Sequence, residues 1–331
     1  MTDDPLGELL SHPAPALTEA ESLDLLRRHW GFGGELLRLT SERDLNWRVT
    51  APAGRFVLKF ANEAEDPAIT DFQTRALLHI AARAPDLPVP RVVPSLDGLA
   101  EVVLPSGGRM RLLSWVEGKP LHEAPPGPAL WHSLGTMSAR LTCALEGYVH
   151  RAADHVLQWD VKQAAGLRPL LPDVTDPELR ARCAGWLDWF DANRARLDAV
   201  PWQVVHADLN PYNVLVSPND PAQVSGVLDF GDMVRTPRVC DLAVAAAYHV
   251  RPGIGTGPEV LAAMRAGWES VMPLLAEEAA LLPGLTALRM VTTMAIASHR
   301  AARWPDNAPY ILRNLPSARA GLLSFPSPEE V

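Results

Sequence analysis

The densest chemistry in this chain lies in Val204-Val205-His206-Ala207-Asp208-Leu209-Asn210-Pro211-Tyr212-Asn213, followed by Val227-Leu228-Asp229-Phe230-Gly231-Asp232. His-x-Asp with an Asn five residues after the Asp has the spacing of a phosphoryl-transfer loop. In such a loop the Asp takes a proton from a hydroxyl and the Asn helps hold a magnesium ion. Asp-Phe-Gly supplies a carboxylate that holds the same metal against nucleotide phosphates. The assignments are therefore Asp208 as catalytic base and Asn213 and Asp229 as Mg²⁺ ligands.

The intervening segment has to bring those residues together. Val214 to Val216 reads as a strand, Ser217-Pro218-Asn219-Asp220-Pro221 as a turn, and Gln223 to Leu228 as a returning strand. Folded as an antiparallel pair, the segment returns Asn213 and Asp229 to one end, where two oxygen ligands suit Mg²⁺. Taken singly, Asp208 or Asp229 would read as a turn residue or cap, and His206 as a structural hydrogen-bonder. The joint spacing makes the aspartates catalytic, while His206 keeps its structural reading as a brace for the loop.

Upstream, Glu35 to Leu39, Asn46 to Thr50 and Arg55 to Phe60 read as strands. Alternation puts Phe56, Leu58 and Phe60 on one face and Val57 and Lys59 on the other. A lysine flanked by apolar residues in mid-strand is costly to bury unpaired, so an anionic partner is expected. A nucleotide phosphate fits, with Val57 roofing the base. Thr18-x-x-Glu21 is a capping box, with Leu23, Leu26 and Trp30 on one face of the helix it starts. Gly31-Phe32-Gly33-Gly34 follows that helix directly and reads as its stop, not as a phosphate loop. A helix from about Asp66 to Ala84 turns Leu77, Leu78 and Ile80 inward. Helical periods also cover Pro128 to Leu145, Asp176 to Leu197 and Leu285 to Arg303. Trp131, Trp159, Trp186 and Trp189 read as core.

These motifs resemble those of the aminoglycoside phosphotransferase and choline kinase family, small-molecule kinases with a protein-kinase-like fold. Ser41-Glu42-Arg43-Asp44-Leu45-Asn46 and Asn62-Glu63-Ala64-Glu65-Asp66-Pro67 look most like its hydroxylysine kinase branch. The resemblance runs from about Thr18 to about Leu315. It implies an α+β chain with an N-lobe antiparallel sheet and helix, a mostly helical C-lobe, and a nucleotide cleft between them. The expected division is a tail over 1–16, an N-lobe over 17–115 and a C-lobe over 116–331. By resemblance, Ser41, Arg43 and Asn46 sit in the loop that covers the phosphates, although it contains no glycine. Backbone groups of Ser114, Trp115 and Val116 form the hinge that meets the purine. The helix position that usually offers a Glu to the strand lysine is Gln73, so either Gln73 bonds Lys59 or Asp71 or Glu65 supplies the charge. Asp241 matches a residue that braces the catalytic loop. Asp232 faces the substrate side, and His299, Arg300, Arg303, Asn307 and Tyr310 occupy the segment where relatives build the acceptor pocket. An arginine there suits a substrate carboxylate.

The implied cofactors are ATP or GTP and Mg²⁺, and the implied partner is a small-molecule hydroxyl acceptor bearing an amine. An antibiotic-modifying kinase and a nucleotide-binding regulator without catalysis are the competing readings. The second draws on Gln73 and the glycine-free loop. The totals agree with an enzyme of small metabolites. A net charge of −9 argues against nucleic acid as a partner. Cys143, Cys183 and Cys240 are odd in number and widely spaced, as free thiols in a reducing compartment would be. The acidic Met1-Thr2-Asp3-Asp4-Pro5 lacks a secretory signature, and Leu281 to Ser298 is interrupted by Pro283, Gly284 and Arg289. A cytoplasmic protein, not bound to membrane, is the expectation. Oligomeric state is not legible.

Overall fold

The structure is a computed structural model that describes residues 12–41 and 43–331. Glu42 and most of the expected tail lie outside the described residues. The chain forms two compact units: one ending at Val116 and including His150–Ala152, the other made of Glu117–Val149 and Ala153–Val331.

The first unit opens with α1 (Glu19–Trp30), whose Thr18/Glu21 capping box satisfies the first amides. It stops at Gly31, whose φ of 75° is the left-handed geometry that glycine adopts without a Cβ penalty. Strands β1 (Glu35–Leu39), β2 (Leu45–Ala51), β3 (Gly54–Phe60), β4 (Val92–Val93), β5 (Val102–Val103) and β6 (Arg109–Ser114) form one antiparallel sheet. Its order is β1-β2-β3-β6-β4, with β5 also paired to β6. Leu26 and Trp30 of α1 pack with Leu45, Val49, Leu58, Phe60, Met110 and Leu112 from one sheet face. That alternation sends Lys59 to the other face, opposite Asn46 on β2 and Arg111 on β6.

Helix α2 (Pro67–Arg83) buries Phe72, Gln73, Ala76, Leu77 and Ile80. Leu78, expected inward, is 42% exposed. The stripe through 73, 76, 77 and 80 follows the 3.6-residue period, and position 78 falls outside it.

The second unit is mostly helical. It contains β7 (Lys119–Pro120), α3 (Pro128–Leu145), α4 (Pro177–Ala199), β8 (Trp202–Val205), β9 (Val214–Val216), β10 (Val224–Val227) and β11 (Val234–Pro237). After these come α5 (Val239–Ala247), α6 (Gly257–Glu269), α7 (Ala276–Arg303), α8 (Ala308–Ile311) and α9 (Leu315–Ser324). β10-β9-β7 form a three-stranded sheet and β11-β8 a two-stranded one. Helices α3 and α6 touch backbone to backbone: a Cβ on Gly135 would lie 2.0 Å from the Met264 carbonyl oxygen, and one on Gly267 1.9 Å from that of His132.

α7 begins at Ala276, well before the expected Leu285, and runs through both Pro283 and Gly284. Gly284 lies under Trp189, where any Cβ would be 2.2 Å from the indole. This helix is long and apolar enough to cross a membrane by length and composition, yet 83% of that apolar window is buried inside the protein. It is the central packing element of the second unit, in contact with α4, α5 and α9.

Candidate active site

β8 and β11 pair with Val205 opposite Val234, which fixes the start of the loop from His206 to Asn213. His206 is fully buried, with Nε2 2.9 Å from the Leu228 carbonyl and its ring edge-on to Phe230 at 4.9 Å. The next residue, Ala207, has φ of 62°, unusual for a side chain with a Cβ. Its N–H donates to Asp241 Oδ1 at 2.8 Å. Asp241 projects from α5 with no exposure, and burial pushes its carboxyl up to about 6. A buried carboxylate thus holds the loop in a backbone conformation it would not otherwise favour.

The turn after β9 is closed by Ser217 N–H to the Gln223 carbonyl, and Val214 stands opposite Val227. At the open end, Leu228 N–H donates to the Asn213 carbonyl at 2.7 Å. Asn213 and Asp229 therefore flank the same end of the ribbon. Asp229 itself has φ of 55°, and its Oδ1 accepts the Gly231 N–H at 3.1 Å.

Asp208 sits at the centre. Its Oδ2 accepts amide hydrogens from Asn210 and Asn213, each at 2.8 Å, and its Oδ1 accepts from Arg289 Nη2 at 3.0 Å. An ionised carboxylate has about four acceptor positions, and three are filled. The carboxylate retains 17% exposure, so the remaining position has access from solvent. Burial raises its pKa to about 6, the negative charges of Asp232 and Asp229 act in the same direction, and Arg289 opposes them.

Arg289 is a functional residue that sequence reasoning missed. Its guanidinium lies between the faces of Trp159 and Tyr248, 5.5 and 5.8 Å from their centroids. It also donates to the Trp159 carbonyl at 2.6 Å and to the Tyr248 hydroxyl at 2.9 Å. Trp159, expected in the core, is a half-buried wall of this box. The available signal was an arginine within the apolar stretch of α7, since a buried charge requires a partner.

The donor set suits a divalent cation. With its amide nitrogen turned to Asp208, Asn213 presents Oδ1, and Asp229 adds a carboxylate from the adjoining strand end. Hard oxygen donors beside clustered negative charge are what Mg²⁺ takes.

In the first unit, Lys59 Nζ pairs with Asp44 Oδ2 at 2.8 Å. Burial alone would raise the Asp44 pKa, but Lys59, by charge and hydrogen bond, and the Asn62 N–H hold it below its ordinary value. Asp44 is a partner of Lys59 that the sequence reading did not name. Gln73 accepts from Arg111 at 2.9 Å, Asp71 is engaged by Arg75 and His150, and Glu65 is pushed up by burial and the charge of Asp44. The reason is local: the loop before β2 places Asp44 beside the lysine, while Gln73 meets the β6 arginine. Opposite Lys59, Asn46 has a buried Oδ1 without a hydrogen-bond partner among the described residues.

Ser41 Oγ accepts the Asp44 N–H at 3.2 Å, and the Arg43 carbonyl accepts from Asn62 at 2.9 Å. At the expected hinge, Ser114 N–H bonds the Arg91 carbonyl and Trp115 N–H the Arg55 carbonyl. Those two amides are already used within the sheet and its edge. Val57 lies half-buried on β3.

The acceptor candidates separate. His299 Nδ1 is 2.6 Å from Asp173, and Arg300 is buried. Arg303 and Asn307 are exposed, and Tyr310 stacks under Arg313, 4.0 Å from guanidinium carbon to ring centroid.

A family model described as the phosphotransferase enzyme family matches residues 35–281. Hydroxylysine kinase of Danio rerio is 27% identical over 317 residues, covering 90% of this chain and 88% of that protein. Homoserine kinase of Rhizobium etli is 29% identical over 233 residues, 65% of each chain. Among solved structures, a microcompartment-associated aminopropanol kinase superposes with a TM-score of 0.68 at 20% identity, covering 89% of this chain and 94% of that one. An amicoumacin kinase solved with AMP-PNP and Ca²⁺ gives 0.67 at 17% identity, covering 92% and 93%. These likenesses place the α+β architecture among two-lobed, kinase-like folds.

Proposed function

Because the chain belongs to the phosphotransferase enzyme family and is a kinase with a hydroxyl acceptor, we propose that it transfers the γ-phosphate of ATP to a small amino-bearing metabolite. The acceptor is a hydroxylysine-like amino acid or amino alcohol. The observation that carries this reading is the state of Asp208, a half-buried carboxylate with three acceptor positions occupied and one open.

The open position takes the acceptor hydroxyl. Asp208 orients that hydroxyl and draws off its proton as the oxygen attacks. Because its pKa is raised toward neutrality, the carboxylate is a stronger base than an exposed aspartate. Asn210 and Asn213 fix the carboxylate's rotation, and Arg289 fixes its other oxygen. Asn213 Oδ1 and Asp229 are the residues that hold Mg²⁺, which when bound offsets charge on the transferring phosphoryl group. Lys59, paired with Asp44, serves the nucleotide phosphates, with Asn46 opposite it. Val57 and the Val116 N–H serve the base. Such a site works by placement and charge compensation more than by covalent chemistry.

The test is phosphate transfer from Mg²⁺-ATP or Mg²⁺-GTP to hydroxylated amino acids, amino alcohols and aminoglycosides, with product detected by ³¹P NMR. Transfer to a hydroxy amino acid or amino alcohol is expected. Asp208→Asn should lower kcat by about 10²–10⁴-fold with the nucleotide KM unchanged. Phosphorylation of aminoglycosides alone would move the reading to antibiotic modification. Undiminished turnover by Asp208→Asn would remove the base assignment.

A further inference from the structure

One surface arginine beside the catalytic loop is held by two aromatic rings. Arg168, Arg196 and Arg319 each hold an aspartate or glutamate, as surface arginines in an acidic protein readily do. Arg313 has no carboxylate partner among the described residues. Its guanidinium instead lies over two phenol rings, 4.0 Å from the centroid of Tyr310 and 5.3 Å from that of Tyr212. Stacking uses the π face of a guanidinium and leaves its in-plane N–H edge available. The side chain has therefore given up much of its rotamer freedom without spending its hydrogen-bond donors, the preparation a binding site requires.

Its position ties it to the chemistry. Tyr212 belongs to the catalytic loop, immediately before Asn213. Its N–H donates to Asn210 Oδ1 at 2.8 Å, and Asn210 Nδ2 donates to Asp208 Oδ2 at 2.8 Å. A single side chain thus links the backbone of Tyr212, whose ring Arg313 overlies, to the carboxylate assigned as base. Tyr212 is also packed by His122, with centroids 4.4 Å apart, although it is 44% exposed.

We propose that Arg313, held by Tyr212 and Tyr310, receives the carboxylate of the acceptor, so that the enzyme selects hydroxylated amino acids over the corresponding amino alcohols. A guanidinium edge binds a carboxylate through two parallel N–H···O bonds, a geometry that an amine or hydroxyl cannot reproduce. The inference rests on the kinase reading above, with Asp208 as base, and narrows its acceptor class.

The experiment compares 5-hydroxylysine with its decarboxylated counterpart 1,5-diaminopentan-2-ol, and homoserine with 3-aminopropan-1-ol, in wild type, Arg313→Met and Arg313→Lys. Wild type should favour the carboxylate-bearing member of the pair it accepts. Arg313→Met should lower kcat/KM for that member by about 10–10²-fold, the range for a hydrogen bond to a charged group. The loss should appear mainly in KM, and the decarboxylated member should change by less than threefold. Arg313→Lys should fall between, because it keeps the charge and loses the fork. Equal use of both members by wild type, or equal losses for both in Arg313→Met, overturns the inference and leaves the kinase reading intact. No transfer to any of the four acceptors overturns both.

Discussion

Arg289 shows how one side chain can set the state of another. Its three bonded neighbours and two aromatic faces leave it 3% exposed, and its contact with Asp208 is the positive counterweight to Asp229 and Asp232. Replacing it by methionine strands a carboxylate and a phenol in a space built for a cation. Stability should fall by about 3 kcal/mol in urea denaturation, at the low end for broken buried pairs because Asp208 keeps some solvent. The kcat should drop by about 10–10³-fold with nucleotide KM unchanged, and Arg289→Lys should recover part of it. Wild-type kcat in Arg289→Met would show that the base is held well enough by the two asparagines alone. Sequence made the loop residues legible because their spacing is local. Arg289 is 81 positions from Asp208, and no period or turn signal spans that distance. Asp44, a partner of Lys59, was missed for a related reason. Asp44 reads as an ordinary loop acid until the strand register puts it beside the lysine.

Among elements, β1 to β3 and the limits of α1 to α4 followed from alternation, period and caps, and the β9–β10 ribbon from its turn residues. Short strands such as β7 and β11 carry too few residues to show a period. The close approach of α3 and α6 did not follow either, since neither Gly135 nor Gly267 sits in a pattern that distinguishes a packing glycine from a weak helix position. In the folded protein each lies against carbonyl oxygen of the other helix, where added carbon has no room. Glycine-to-alanine changes inside helices usually gain stability, by about 1 kcal/mol. Here the sign should reverse. Gly135→Ala and Gly267→Ala should each lower the melting temperature, because the helices must part by an ångström or more to admit a methyl. A rise in either melting temperature would contradict the packing. The same reasoning explains why α7 tolerates Gly284, whose missing side chain is the seat of Trp189.

At the scale of the whole molecule, several buried ionisable groups make stability depend on pH in opposing directions. Burial, helped by the charge of Arg251, pushes His249 down to about 4. The unfolded chain, with an ordinary value near 6.5, takes up that proton first as pH falls. Stability from a neutral His249 is therefore full above about pH 6.5 and is lost as pH drops toward 4. Its ceiling is about 3 kcal/mol. Asp208 and Asp241, with carboxyls raised to about 6, act oppositely over part of the same window, because the folded state holds their protons more tightly. The histidine contribution is therefore best read as a difference. Urea denaturation of wild type and His249→Leu at pH 7 and pH 4.5 should show the variant losing less on acidification. Identical losses would mean that His249 is protonated without penalty in the folded protein.

α7 carries the brace for the base at its middle and delivers, just beyond its last turn, the segment that bears Tyr310 and Arg313. On the proposed reading, reactivity and selectivity are thus written on successive stretches of chain, one in α7 and one after it, and can be edited separately. Residues 304–314 form a cassette. Exchanging that cassette for its counterpart from a kinase of different acceptor should redirect the enzyme while the proton-handling apparatus stays as it is.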